Sequence, residues 1–122
     1  NVKRPEDSTL ELYYTGWAAS SDADWSLRPL YYGPSMPPVL FNTAYYRNPE
    51  VDKLIDEALS VSDEVESRKI YADIQERIRR DAPYVWLILE DTASAWRGEL
   101  SGFTATSDGG LDFIRAQWHE SK

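Results

Sequence analysis

No cysteine occurs among the 122 residues, which removes disulfides, thiolate nucleophiles and zinc-thiolate sites while leaving the cellular compartment open. Histidine is almost as scarce. The single one, His119, stands near the end of the chain, so a histidine-based nucleophilic triad or a multi-histidine metal site would have to be built around a tail. The longest purely apolar run is Val85-Trp86-Leu87-Ile88-Leu89, far short of the roughly 20 residues a membrane-spanning helix needs, so no span is expected. Positive charge is also in short supply: 13 Lys and Arg stand against 21 Asp and Glu, for a net charge of −8. No basic stripe is interleaved with aromatics, which argues against a nucleic-acid partner. Neither a Walker-type phosphate loop nor a GxGxxG fingerprint is present. The first residues, from Asn1 onward, hold no apolar segment that could serve as a signal peptide; the expectation is a chain that was processed or cut.

What is present is an ordinary globular composition, 42% hydrophobic and 28% charged, with a length suited to one hydrophobic core. Aromatic residues are abundant, five Trp and eight Tyr among them. Such side chains offer broad apolar faces with a polar handle, useful for a ligand and equally useful for a core.

Residues 10–15 mix apolar and β-favouring side chains and stop at Gly16, the pattern of a short buried strand. Residues 18–38 are rich in Ser, Asp, Gly and Pro and read as a long loop, with a helical turn around Trp25 to Leu30. Asn48-Pro49 opens a helix, because Asn accepts from an orphan amide and Pro has no amide to leave unpaired. Val51, Leu54, Ile55, Ala58 and Leu59 then share one face. A second helix is predicted from about Asp63 to Asp81, capped by Ser62 or Asp63, with Ile70, Ile74 and Ile78 stacked at every fourth residue. Pro83 ends it. Residues 84–90 read as a buried strand and residues 92–97 as a further one. Beyond them Gly98, Gly102 and Asp108-Gly109-Gly110 separate short pieces anchored by Leu100, Phe103, Phe113, Ile114 and Trp118. No internal repeat is found.

Two acidic pairs have the form of chemical groups. Asp22-Ala23-Asp24 has the acid-x-acid form that can hold a divalent metal, and also the form of turn and cap acids, which is the commoner use. Glu90-Asp91 supplies two carboxylates, but neighbours on a strand point to opposite faces and do not converge on a sugar bond. With no catalytic, cofactor or metal constellation, the aromatic, proline-rich loop that follows a strand and precedes two helices points to ligand binding without catalysis. A small carbohydrate-active enzyme and a self-contained protein-interaction module are the alternatives.

Taken in order, L-Y-Y-T-G-W at 12 to 17, D-A-D-W-S-L-R-P-L at 22 to 30 and P-P-V-L-F-N-T-A-Y-Y-R-N-P-E-V-D-K-L-I at 37 to 55 resemble the peptide and nickel class of solute-binding proteins that serve ABC importers. A-P-Y-V-W-L-I-L-E at 82 to 90, S-A-W-R at 94 to 97 and L-S-G-F at 100 to 103 continue the resemblance. It implies an α/β fold: a fragment of a two-lobed, class II periplasmic binding protein, with helices packed on a small mixed sheet. Residues 1–83 would be the C-terminal part of the second lobe, and 84–122 hinge-crossing strands returning toward the first. The implied role is extracytoplasmic capture of a small peptide and its delivery to ABC permease subunits. Trp17, Ser20, Ser21, Asp24, Asn42 and Tyr46 are the ligand-binding candidates that follow; Trp17 and Trp25 are equally readable as core aromatics, and Asn42 and Tyr46 as a turn residue and a packing residue. Peptide-binding members carry an aspartate just after the first strand to pair with the ligand's amino terminus; here that stretch is Ala18-Ala19-Ser20-Ser21. The chain looks most like the glutathione-binding members of the class, through G-W-A-A-S-S-D-A-D-W-S-L and F-N-T-A-Y-Y, which implies a glutathione-like ligand.

Overall fold

Each helix begins where a short polar side chain catches the first free amides. The computed structural model describes residues 3–9, 11–18, 22–89, 91, 93–106 and 109–119. Helix α1 covers Ala23–Tyr31, and the Asp22 carboxylate at its N-cap accepts from the Trp25 amide at 2.7 Å. Helix α2 covers Pro49–Ala58 and starts as Asn48-Pro49 predicts: Asn48 Oδ1 accepts from the amides of Glu50 and Val51. Helix α3 covers Glu64–Asp81, with Asp63 rather than Ser62 as its cap. Acids in its first turn and Arg79 and Arg80 in its last complement the helix dipole. It stops at Ala82, whose left-handed backbone turns its amide back onto the Ile78 carbonyl. Single helical turns at Pro5–Asp7 and Gly33–Ser35 complete the helical content among the described residues.

The chain divides into two compact units, Asn1–Trp86 and Leu87–Lys122. In the first, α2 packs on both α1 and α3. Val51, Ile55 and Ile74 are fully buried between them, and Ile78 and Ala58 nearly so. Leu27, Leu30, Leu54 and Ile70 close the margins of this core. Leu59, expected on the same face, is exposed at the C-cap of α2. Tyr31, at the end of α1, meets Tyr46 and Tyr84 edge-on, with centroids 6.5 and 5.6 Å away. Pro37-Pro38 is a cis peptide.

The second unit holds four two-residue strands: β1 (Leu100–Ser101), β2 (Thr104–Ala105), β3 (Leu111–Asp112) and β4 (Gln117–Trp118). Strand β1 pairs with β4 and β2 with β3, Leu100 opposite Trp118 and Thr104 opposite Asp112. Gly102 turns with φ of 77°, where a Cβ would lie 2.1 Å from the Arg115 carbonyl oxygen. Only glycine fits there.

Helices and strands are both present, as α/β implies, but the mixed sheet is corrected: both described sheets are two-stranded and antiparallel. Three expected strands are corrected as well. The described residues of 10–15, 84–90 and 92–97 lie outside any strand, while Leu10, Glu90 and Thr92 fall outside the described residues. The reason is a missing ladder. An apolar run reads as a buried strand only when another strand satisfies its backbone and a second layer covers its side chains. Among the described residues nothing pairs with these runs, and Leu12 and Leu89 are 90% and 97% exposed. Tyr84 is drawn instead into the tyrosine cluster.

Candidate functional site

Residues 32–48, between α1 and α2, form an ordered loop organised around one amide, and the loop expected over residues 18–38 is corrected in its middle, where helix α1 runs from Ala23 to Tyr31. Asn42 is fully buried. Its Nδ2 donates to the carbonyls of Tyr32 and Tyr46 at 3.1 and 2.9 Å, and its Oδ1 accepts from the Tyr46 amide at 3.0 Å. Both donors and the carbonyl oxygen of this side chain are therefore engaged in holding residues 32 and 46 together. Tyr46 then reaches α3: its hydroxyl donates to Asp81 Oδ2 at 2.6 Å, and Asn48 Nδ2 donates to the same oxygen at 2.7 Å. Burial, followed by the hydrogen bond to this carboxylate, raises the Tyr46 pKa. The bonds from Tyr46 and then Asn48 hold Asp81 below its ordinary value. Tyr84 ties the loop on its other side, its hydroxyl accepting from the Ala44 amide at 3.3 Å.

Asp24 has a different commitment. Both its oxygens accept from Arg28 Nε, at 3.0 and 2.9 Å, one helical turn away. Arg28 also donates to Asp56 Oδ1 at 2.9 Å and to the Ile55 carbonyl at 3.1 Å, with its guanidinium over the Tyr32 ring. Burial opposes the charge on Arg28, yet the hydrogen bonds to Asp24 and Asp56 outweigh it and raise the pKa. The bond from Arg28 correspondingly lowers that of Asp56. The Asp22-Ala23-Asp24 signature thus resolves into a helix cap and an ion pair. No group of three or more His, Asp or Glu among the described residues could hold a metal.

Trp17 is half-buried and lies against Phe41, centroids 5.4 Å apart and planes at 53°. Its indole Nε1 is buried and, among the described residues, finds no hydrogen-bond acceptor. Ser20 and Ser21, which follow it, lie outside the described residues. Trp25 stands about half exposed on α1. Asn42 and Tyr46 are brought together directly, whereas Asp24 sits in the Arg28 network and Trp17 with Phe41.

Arg28, Asp56, Asp81 and Tyr84 are structural partners that sequence reasoning did not single out. The Asp24–Arg28 spacing of four residues was a readable signal for a helix pair. The reach of Arg28 to Asp56, or of Tyr46 to Asp81, has no local signature. In the second unit Ser101 Oγ lies 2.6 Å from His119 Nε2, across the β1–β4 pairing. Both side chains are exposed. No helix among the described residues is long and apolar enough to cross a membrane.

No family model matches the chain. Among curated proteins, the chain is 42% identical over 107 residues to "Glutathione-binding protein GsiB" of Pectobacterium atrosepticum, an alignment covering 87% of this chain and 21% of that protein. It is 38% identical over 112 residues to proteins of the same name from Escherichia coli K12 and Shigella flexneri, covering 91% of this chain and 22% of each. The chain spans about a fifth of the length of the curated relatives it matches. Along about nine-tenths of its residues the chain is similar to one segment of the glutathione-binding proteins GsiB, which bears out the resemblance read from its motifs.

Proposed function

We propose that this chain is part of an extracytoplasmic, periplasmic solute-binding protein of an ABC importer, and that the whole protein captures glutathione or a closely related small peptide for delivery to membrane permease subunits. The observation that carries this is the 42% identity to a glutathione-binding protein across 87% of the chain. In the whole protein two lobes close on the ligand, which leaves unchanged; closure is driven only insofar as the ligand touches both lobes. Trp17 offers a ring face and a buried N–H whose acceptor is a ligand oxygen, and Ser20 and Ser21 offer hydroxyls to the γ-glutamyl end. Asn42 and Tyr46 shape the neighbouring loop from behind. Asp24, held by Arg28, fixes the start of α1, the first helix after those serines.

The test is a chimaera in which this sequence replaces the matching segment of the Pectobacterium atrosepticum relative. In titration calorimetry the folded chimaera binds glutathione with a dissociation constant of roughly micromolar or better, while the 122-residue chain alone, holding part of a site, binds at least about a hundredfold more weakly. A folded chimaera without glutathione affinity overturns the reading.

A further inference from the structure

Helix α1 ends in an exchange of hydrogen-bond partners that reaches Trp17. Its last rung joins the Tyr32 amide to the Arg28 carbonyl at 3.2 Å. The next rung would join the Gly33 amide to the Pro29 carbonyl, but Tyr32 is already extended, with ψ of 126°. The Gly33 amide turns instead to α2, where Asp52 Oδ1 accepts it at 2.7 Å. The carboxylate lies directly on this backbone: a Cβ at Gly33 would stand 2.7 Å from Asp52 Oδ2. The Pro29 carbonyl, released from the ladder, accepts from the Phe41 amide at 3.2 Å. Pro29 is fully buried, so its carbonyl has no bulk water to fall back on. The Phe41 ring then packs on Trp17, whose buried Nε1 finds no acceptor among the described residues.

We infer that Asp52 is a positioning residue for ligand capture: by taking the Gly33 amide it keeps the Pro29 carbonyl for Phe41, and so holds the Phe41 ring where it sets the Trp17 indole. Asp52 itself touches no ligand. The inference rests on the reading of Trp17 as a ligand contact. Without an acceptor on α2, the amides of Gly33 and Phe41 compete for one carbonyl, because a part-buried N–H left unpaired costs free energy. Gly33, four residues on, is the ordinary helical partner of Pro29 and displaces Phe41. An amide oxygen accepts at the same place as a carboxylate oxygen, so Asp52→Asn preserves the arrangement. Asp52→Leu, of similar bulk but without an acceptor, does not.

Glutathione titration of the chimaera described above is the test. Asp52→Leu weakens binding by about tenfold, as does Phe41→Ala, with circular dichroism showing the fold intact at the temperature of measurement. Asp52→Asn stays within about threefold of wild type. The double variant of Asp52→Leu with Phe41→Ala binds no more weakly than Phe41→Ala alone, because the two residues act along one route. Where Asp52→Leu does not fold, Asp52→Ala takes its place. A lowered melting temperature with unchanged affinity overturns the inference, since Asp52 would then be merely structural. Additive losses overturn it too, because Asp52 would act by another route, as do equal losses in Asp52→Asn and Asp52→Leu, which would point to charge. A readout independent of glutathione separates this inference from the functional reading. In heteronuclear NMR of the 122-residue chain, Asp52→Leu shifts the Trp17 indole N–H signal, assigned by its loss in Trp17→Phe, and speeds Phe41 amide exchange by about tenfold or more, whereas Asp52→Asn does neither. If these signals respond but the wild-type chimaera does not bind glutathione, the functional reading fails and the Asp52 arrangement stands. If the chimaera binds glutathione while the signals stay unmoved, the Asp52 inference fails alone.

Discussion

Arg28 on α1 and Asp56 on α2 meet across 28 residues of sequence, Nη1 to Oδ1 at 2.9 Å. The same guanidinium holds both oxygens of Asp24 and the Ile55 carbonyl, and about a fifth of its side chain is exposed. Surface ion pairs contribute little, but this one is fork-shaped, partly desolvated and shared among three acceptors. Arg28→Ala should lower the stability of the chain by about 2–3 kcal/mol in urea unfolding followed by helical circular dichroism. Arg28→Lys should restore less than half, because a single ammonium cannot reproduce the fork. A loss below about 0.5 kcal/mol for the alanine variant would reduce the cluster to an ordinary surface pair.

The α2–α3 packing predicts a different kind of cost. Ile74 is fully buried against Val51 and Ile55, so truncation leaves a cavity as well as removing apolar surface. Ile74→Ala should cost about 2–5 kcal/mol, and Ile74→Val about 0.5–1.5. Ile70→Ala, at the half-buried end of the same stripe, should cost less than Ile74→Ala. An unchanged unfolding midpoint for Ile74→Ala would remove it from the core.

The parts of the fold legible in the sequence are those whose causes are local. Asn48-Pro49 and Asp63 announce helix starts through side chains that reach amides two or three residues on, and the isoleucine stripe declares its face through helical spacing. Residues 84–90 misled because apolar character reports that a segment wants cover without saying which atoms supply it; the described residues of this run lie outside any strand, and 85–89 are exposed. The candidate site was legible only as a set of residue types. That Asn42 spends its amide on Tyr32 and Tyr46, and Asp24 its carboxylate on Arg28, depends on contacts that spacing alone does not encode.

Asn42 makes its own test. Removing its amide strands the Tyr46 carbonyl and amide and leaves the Tyr32 carbonyl with the Ser35 amide alone, and each unpaired buried group costs about 1–3 kcal/mol. Partial relaxation toward water keeps the sum below two full penalties, so Asn42→Ala should destabilise the chain by about 2–4 kcal/mol in urea unfolding. Asn42→Asp should be no better, since it keeps the acceptor but replaces the donors with a buried charge. Wild-type stability in either variant would mean that the loop between α1 and α2 does not depend on this residue.

Acid should expose the link between Tyr46 and Asp81. The folded pKa of Asp81 is held below its ordinary value of 3.8, first by the Tyr46 hydroxyl and then by Asn48. The unfolded chain therefore binds the proton more readily, and the contribution of Asp81 is complete above its unfolded pKa and lost as pH falls through the folded one. The urea midpoint should drop between about pH 5 and pH 3. Asp81→Asn should flatten that drop in part, leaving the portion due to Asp56, whose pKa is lowered by Arg28. An identical acid profile for wild type and Asp81→Asn would show that the carboxylate is not coupled to folding.

Trp17 separates packing from ligand contact. Its ring lies against Phe41, and its buried Nε1 has no acceptor among the described residues. A buried donor left unpaired costs free energy, so removing it while keeping an aromatic ring offsets much of the packing lost with the smaller side chain. Trp17→Phe should thus change the stability of the chain by less than about 1 kcal/mol, whereas Trp17→Ala, which loses the ring contact, should cost more. In the chimaera, where the proposed ligand oxygen accepts from Nε1, Trp17→Phe should weaken glutathione binding about tenfold, the equivalent of one hydrogen bond to a charged group. Because the stability change is small, that loss reports the contact itself. Unchanged glutathione affinity in a folded Trp17→Phe chimaera would remove the indole N–H from the site and leave Trp17 as a packing residue beside Phe41.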